Sequence, residues 1–141
     1  MDYSRARESL VRWAQGRTDV RALVLTGSAA AHEAHPLSDR DIEVFTTDID
    51  ALLTDESWWS DLGDVLVVER LNDGDGNPTR LIYYAGGKID FTVLPADRLA
   101  GRSYTRPFCV LLDKDDSAAT ASLDASSTAP PTPADFEESM N

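Results

Sequence analysis

Three groups of residues in this chain have the types and spacing that chemistry on phosphates requires. The first is Gly27-Ser28, which ends an aliphatic run and precedes three alanines. Glycine lets a ligand approach the backbone closely, and exposed amides with a serine hydroxyl can hold a phosphate. The second is Asp39-Arg40-Asp41, separated from Ser28 by ten residues. In an extended strand, Asp39, Asp41 and Glu43 fall on one face and Ile42 and Val44 on the other. Carboxylates so close repel, and they stay ionised most easily around a divalent cation. The third is Asp90, inside Lys88-Ile89-Asp90-Phe91-Thr92-Val93-Leu94, a β-prone run of a kind in which aspartate is depleted. It shares a face with Thr92 and Leu94, while Ile89, Phe91 and Val93 point the opposite way. Singly, each group has a plainer reading: a turn, a solvated strand end, an edge-strand charge that opposes aggregation. In this order along one chain they supply phosphate donors and three carboxylates. Those are the parts of two-metal phosphoryl or nucleotidyl transfer.

The elements that must position these groups show two periods. Ala6, Leu10, Trp13 and Ala14 recur at helical spacing, which predicts an amphipathic helix from Tyr3 to Gln15, ended by Gly16. Strands are predicted over Val20–Leu25, Asp41–Thr47, Val65–Leu71, Arg80–Tyr84 and Lys88–Leu94, with a short edge strand over Val110–Leu112. A short helix is expected over Ala29–Ala34, a broken helical stretch over Ile49–Leu62, and a helical turn around Ala96–Ala100. The class is α+β: a mixed sheet of about five strands with helices packed on one side. Trp13, Trp58 and Trp59 read as core and rim packing, and His32 with His35 as a solvated pair. Asp73-Gly74-Asp75-Gly76-Asn77 has the look of a calcium loop but lacks the downstream glutamate, and so reads as a hairpin turn.

Length and charge bound the function. At 141 residues, one domain is expected. A net charge of −12 argues against binding duplex nucleic acid or anionic membrane by counterion release. Small anions would need metal ions or local donors. The single Cys109 excludes an internal disulfide framework and a cysteine-based zinc site. No apolar run approaches the ~20 residues of a membrane span, and the first residues lack the apolar core of a signal peptide, so a cytoplasmic chain is expected. Seven acidic residues against one basic lie from Asp113 onward, in a stretch dominated by Ala, Ser, Thr and Pro. The expected layout is therefore a catalytic domain over 1–112 and a disordered tail or linker over 113–141.

Gly27-Ser28, ten residues, then Asp39-x-Asp41 resembles the signature of the DNA polymerase β-like nucleotidyltransferase superfamily. More closely, Leu25-Thr26-Gly27-Ser28, Ser38-Asp39-Arg40-Asp41-Ile42-Glu43-Val44-Phe45 and Ile89-Asp90-Phe91-Thr92 resemble the aminoglycoside 6-adenylyltransferases. Trp58-Trp59 before Leu62-Gly63, and Val110-Leu111-Leu112-Asp113-Lys114-Asp115, are similar to the same family. The resemblance implies transfer of AMP from ATP to a hydroxyl of a small molecule, an aminoglycoside such as streptomycin. It implies that Asp39, Asp41 and Asp90 hold Mg²⁺, two ions in all, and carry the catalysis, Asp90 as ligand or general base. Gly27 and Ser28 would hold the β- and γ-phosphates. Where family members often carry an arginine after Gly-Ser, this chain has Ala29, Ala30 and Ala31; Arg40, Arg80 and Lys88 are the substitutes considered, Arg40 and Lys88 as nucleotide-binding residues. The family also carries a helical C-terminal domain that helps form the acceptor cleft, and this chain stops where that domain would begin. A natural minimal form, a truncation or an excised domain all fit, as does a helical partner or a homodimer. A second reading is an antitoxin-like module that binds or modifies a protein partner; a third is an inactive relic of the fold.

Overall fold

The computed structural model describes residues 2–27 and 40–123. The helix expected over Ala29–Ala34, the pair His32 and His35, and the chain beyond Leu123 lie outside the described residues. Helix α1 (Tyr3–Gln15) buries Ala6, Leu10 and Ala14 along one stripe, as the spacing predicts. The Asp2 carboxylate accepts the Arg5 amide at 3.1 Å and so caps the first turn. In chain order the remaining elements are β1 (Val20–Thr26), β2 (Arg40–Thr46), α2 (Ile49–Thr54), α3 (Ser57–Ser60), β3 (Val65–Asn72), β4 (Pro78–Tyr84), β5 (Gly87–Pro95), β6 (Ser103–Tyr104), β7 (Phe108–Asp113) and β8 (Ser122–Leu123).

Six strands make one sheet in the order β3-β4-β5-β2-β1-β7, with β7 as the edge strand expected around Val110–Leu112, and β6 pairs with β8 in a separate ribbon. The sheet is mixed: β2 and β5 run parallel, and the other pairs are antiparallel. The predicted turn makes the β3–β4 hairpin, where Asp73 Oδ1 accepts the amides of Asp75 at 2.9 Å and Asn77 at 2.8 Å.

Alternation along the strands gives the sheet two different faces. On one, Leu23, Leu25, Ile42, Val44, Phe91 and Val93 pack beneath α1, α2 and α3. Trp58 sits edge-on to Phe91, with ring centres 4.9 Å apart, and stacks on Trp13 at 5.2 Å. Its indole N–H donates to the Leu52 carbonyl at 3.1 Å, so the buried ring leaves no polar atom unsatisfied. The tryptophans are packing residues, each contributing about 2–3 kcal/mol of burial.

On the other face, Ala22, Val24, Phe45 and Leu94 are covered by Leu99 and Tyr104. This cover belongs to the chain after β5, and it extends beyond Leu112. The Asp113 carboxylate accepts the amides of Ser117 at 3.0 Å and Ala118 at 2.8 Å, closing a 3-10 turn over Ser117–Thr120. Ala118 and Ala121 pack on the same cluster, so residues 113–123 are part of the folded unit. No helix of the described residues is long and apolar enough to cross a membrane.

Candidate functional site

The covering segment stops short of one end of the sheet, and there the second face is open. Antiparallel pairing sets Thr26 opposite Asp41, and parallel pairing sets Asp41 opposite Asp90. Both aspartates therefore stand on adjacent central strands, which lie about 4.8 Å apart. The position removes the plainer reading of Asp90, because β5 lies between β4 and β2 and is no edge. A cleft of about 330 Å³ opens over this row, lined by Thr26, Asp41, Asp90, Thr92, Asp73 and Arg106 among others.

Gly27 ends β1 at the edge of this row, with φ +89°, a left-handed conformation that favours glycine. Its amide donates to the Pro107 carbonyl at 2.9 Å. A Cβ there would lie 3.2 Å from Arg106 Nη1 and 3.6 Å from Asp41 Oδ2, so the missing side chain is what gives the guanidinium its place.

Asp90 is the most perturbed carboxyl of the site. Burial is the main cause of a pKa pushed up to about 6; Lys88 opposes the shift and the Asp41 carboxylate adds to it. Lys88 Nζ stands 3.4 Å from Asp90 Oδ1, an ion-pair distance too long for a strong hydrogen bond. Among the described residues Asp90 Oδ1 is buried and accepts no hydrogen bond. Such an oxygen, beside a second carboxylate in register, suits a hard divalent cation, which takes oxygen ligands and offsets the mutual repulsion. Asp41 and Asp90 thus fit one side of a metal set. Among the described residues no group of three or more metal-binding side chains converges.

The remaining expected residues divide. Ser28 and Asp39 lie outside the described residues. Lys88 is in the site. Arg40 falls on the opposite, helix-covered face, its guanidinium 4.1 Å above the Tyr3 ring, and the structure does not place it with the carboxylates. Arg80 shares that helix-side face, opposite Phe91 on β5. Glu43, in line with Asp41, is engaged by Arg102 Nη2 at 2.7 Å and the Tyr104 hydroxyl at 2.6 Å. Burial, with the Glu43 acceptor adding to it, pushes the Tyr104 phenol up and keeps it a donor.

Arg106 is the residue that sequence reasoning missed. Its Nη2 donates to Asp41 Oδ2 at 3.0 Å and to Thr26 Oγ1 at 3.4 Å. Nothing local in Thr105-Arg106-Pro107 marks it. The signal is topological: once β7 pairs antiparallel with β1, Phe108 lies opposite Thr26, and the preceding residues reach Gly27.

A mixed sheet with a glycine turn and paired aspartates on neighbouring strands of its open face defines a nucleotidyltransferase fold. The model of one family, streptomycin adenylyltransferase, matches residues 3–141, and the chain belongs to that family. Among solved structures, an aminoglycoside 6-adenyltransferase from Bacillus subtilis is similar, with TM-score 0.55 and 17% identity. The match covers 70% of this chain and 36% of the Bacillus protein, so this chain spans little more than a third of that relative. No curated protein sequence matches the chain.

Proposed function

We propose that this chain is the nucleotide-binding and catalytic part of an adenylyltransferase that moves AMP from ATP to a hydroxyl of an aminoglycoside such as streptomycin. The observation that carries the reading is the register of Asp41 and Asp90 on adjacent parallel strands beside Gly27. Asp41 and Asp90, with Asp39 as a third carboxylate, hold Mg²⁺, two ions when the nucleotide is present. Bound there, the ions stabilise the charge that develops on the transferring phosphoryl group and the leaving oxygen. Gly27 and Ser28 receive the β- and γ-phosphates. Lys88 holds Asp90 in place and adds positive charge at the site.

In the reaction the acceptor hydroxyl oxygen bonds to the α-phosphorus as the bond from that phosphorus to the β-bridging oxygen breaks. Pyrophosphate leaves, and the hydroxyl proton passes to the Asp90 carboxylate.

Transfer of labelled AMP from ATP and Mg²⁺ to streptomycin and a small aminoglycoside panel tests the reading. Asp41→Asn and Asp90→Asn are each expected to lower transfer at least about 10³-fold with the circular dichroism spectrum unchanged. Wild-type rates in both variants would remove the assignment. Label on a protein partner, with none on any aminoglycoside, would transfer the reading to a partner-modifying enzyme.

A further inference from the structure

Arg106 occupies an unusual position for a residue of a metal-dependent transferase. Its guanidinium binds Asp41, which the proposed reading makes a metal ligand, through a 3.0 Å contact. Two positive groups cannot share that carboxylate without cost. Like charges this close repel, the more so where water is partly excluded. Arg106 and a divalent cation therefore compete for Asp41.

The surroundings of Arg106 fix its backbone and leave its side chain room to move. Before it in the chain, Arg102 and Tyr104 are both bonded to Glu43 on β2. After it, the Pro107 carbonyl accepts the Gly27 amide at 2.9 Å. The Arg106 side chain itself is 57% exposed, against 27% for Asp41. It lies over the Gly27 backbone, at 3.2 Å from the position of an absent Cβ, on the turn proposed to receive phosphates. A guanidinium presents a planar fork of donors that matches a phosphate's oxygens, and it keeps its charge at any working pH.

We propose that Arg106 is a transferable cation: it neutralises Asp41 until metal arrives, and then moves to the nucleotide's phosphates. The inference rests on the adenylyltransferase reading and deepens it. Arg106 would supply the positive charge at the phosphates that Ala29, Ala30 and Ala31 cannot.

The role requires effects of opposite sign on two ligands. Removing a competitor strengthens the binding of metal alone; removing a phosphate donor weakens the binding of nucleotide. Titration of Mn²⁺ alone, followed by electron paramagnetic resonance, and calorimetric titration of ATP with saturating Mg²⁺ separate the two. Arg106→Ala is expected to bind Mn²⁺ about tenfold tighter and ATP with Mg²⁺ about tenfold more weakly. Arg106→Lys, which keeps the charge but loses the fork, should fall between wild type and Arg106→Ala on both scales. No change in either affinity, or changes of the same sign, would overturn the proposal. Asp41→Asn provides the control on the underlying reading. If it abolishes Mn²⁺ binding while Arg106→Ala changes nothing, the role of Arg106 alone falls. If it leaves Mn²⁺ binding intact, the metal site falls, and the role of Arg106 with it.

Discussion

Asp90 shows how a residue suited to chemistry is held at the expense of stability. Its carboxyl has a pKa pushed up to about 6, chiefly by burial, and the ionised form is penalised in the folded chain. The folded state therefore binds more protons than the unfolded state between about pH 4 and pH 6. Stability from this group falls as pH rises through that window and stays lowered above it. Asp90→Asn should accordingly stabilise the metal-free chain by on the order of 1–2 kcal/mol at pH 7.5, with the gain vanishing at pH 4. Urea denaturation in EDTA at both pH values checks this; a variant less stable than wild type at pH 7.5 would show that the Lys88 ion pair outweighs the burial. Saturating Mg²⁺ should reverse the order, since only the wild type retains both aspartates of the metal set. Gly27 is the complementary case at the same scale. Gly27→Ala forces a Cβ into a left-handed conformation and against the Arg106 guanidinium, so a loss of about 1–2 kcal/mol is expected, with weaker nucleotide binding.

The elements were legible where periodicity is strong and illegible where single polar contacts decide. Helix α1 and strands β1 to β5 lie within about two residues of their predicted bounds, because their apolar positions repeat at helical or strand spacing. Pairing of Asp41 with Asp90 was implicit in the motif, whereas Arg106 needed the β1–β7 pairing that no local pattern encodes. Residues 113–123 have the composition of a linker, and small side chains hide their contacts. Three consecutive charges hold this region instead. Asp113 caps the 3-10 turn, Lys114 Nζ donates to the Ala14 and Arg17 carbonyls at 2.8 and 2.6 Å, and Asp115 pairs with Arg21. Lys114 thus closes the C-terminal end of α1, where carbonyls lack helical partners and a cation is favoured. Lys114→Ala should cost about 1–2 kcal/mol in thermal or urea unfolding. Asp115→Ala, which removes an exposed pair, should leave the stability close to that of wild type. An equal loss in both would mean that neighbourhood, rather than the carbonyl bonds, sets the effect. Truncation after Asp116 removes Ala118 and Ala121 from the second cluster and β8 from its pairing with β6, and a melting temperature lower by about 5 °C is expected.

At the scale of the whole molecule, charge opposes one substrate of the proposed reaction and favours the other. The chain carries −12, while ATP with Mg²⁺ remains anionic and an aminoglycoside is a polycation. Lys88 and Arg106 act at contact distance, whereas repulsion between the chain's net negative charge and the nucleotide acts at longer range and is screened within a Debye length of about 10 Å at 0.1 M salt. Added salt should therefore remove more repulsion than attraction for the nucleotide. Raising NaCl from about 0.05 to 0.3 M is expected to strengthen ATP–Mg²⁺ binding about twofold and to weaken streptomycin binding about tenfold. Calorimetric titration of each ligand at both salt concentrations gives the two slopes. Nucleotide binding that weakens with salt would show that Lys88 and Arg106 govern the approach of ATP. Streptomycin binding that ignores salt would place the acceptor away from the acidic surface of this chain, in contact with groups it does not supply.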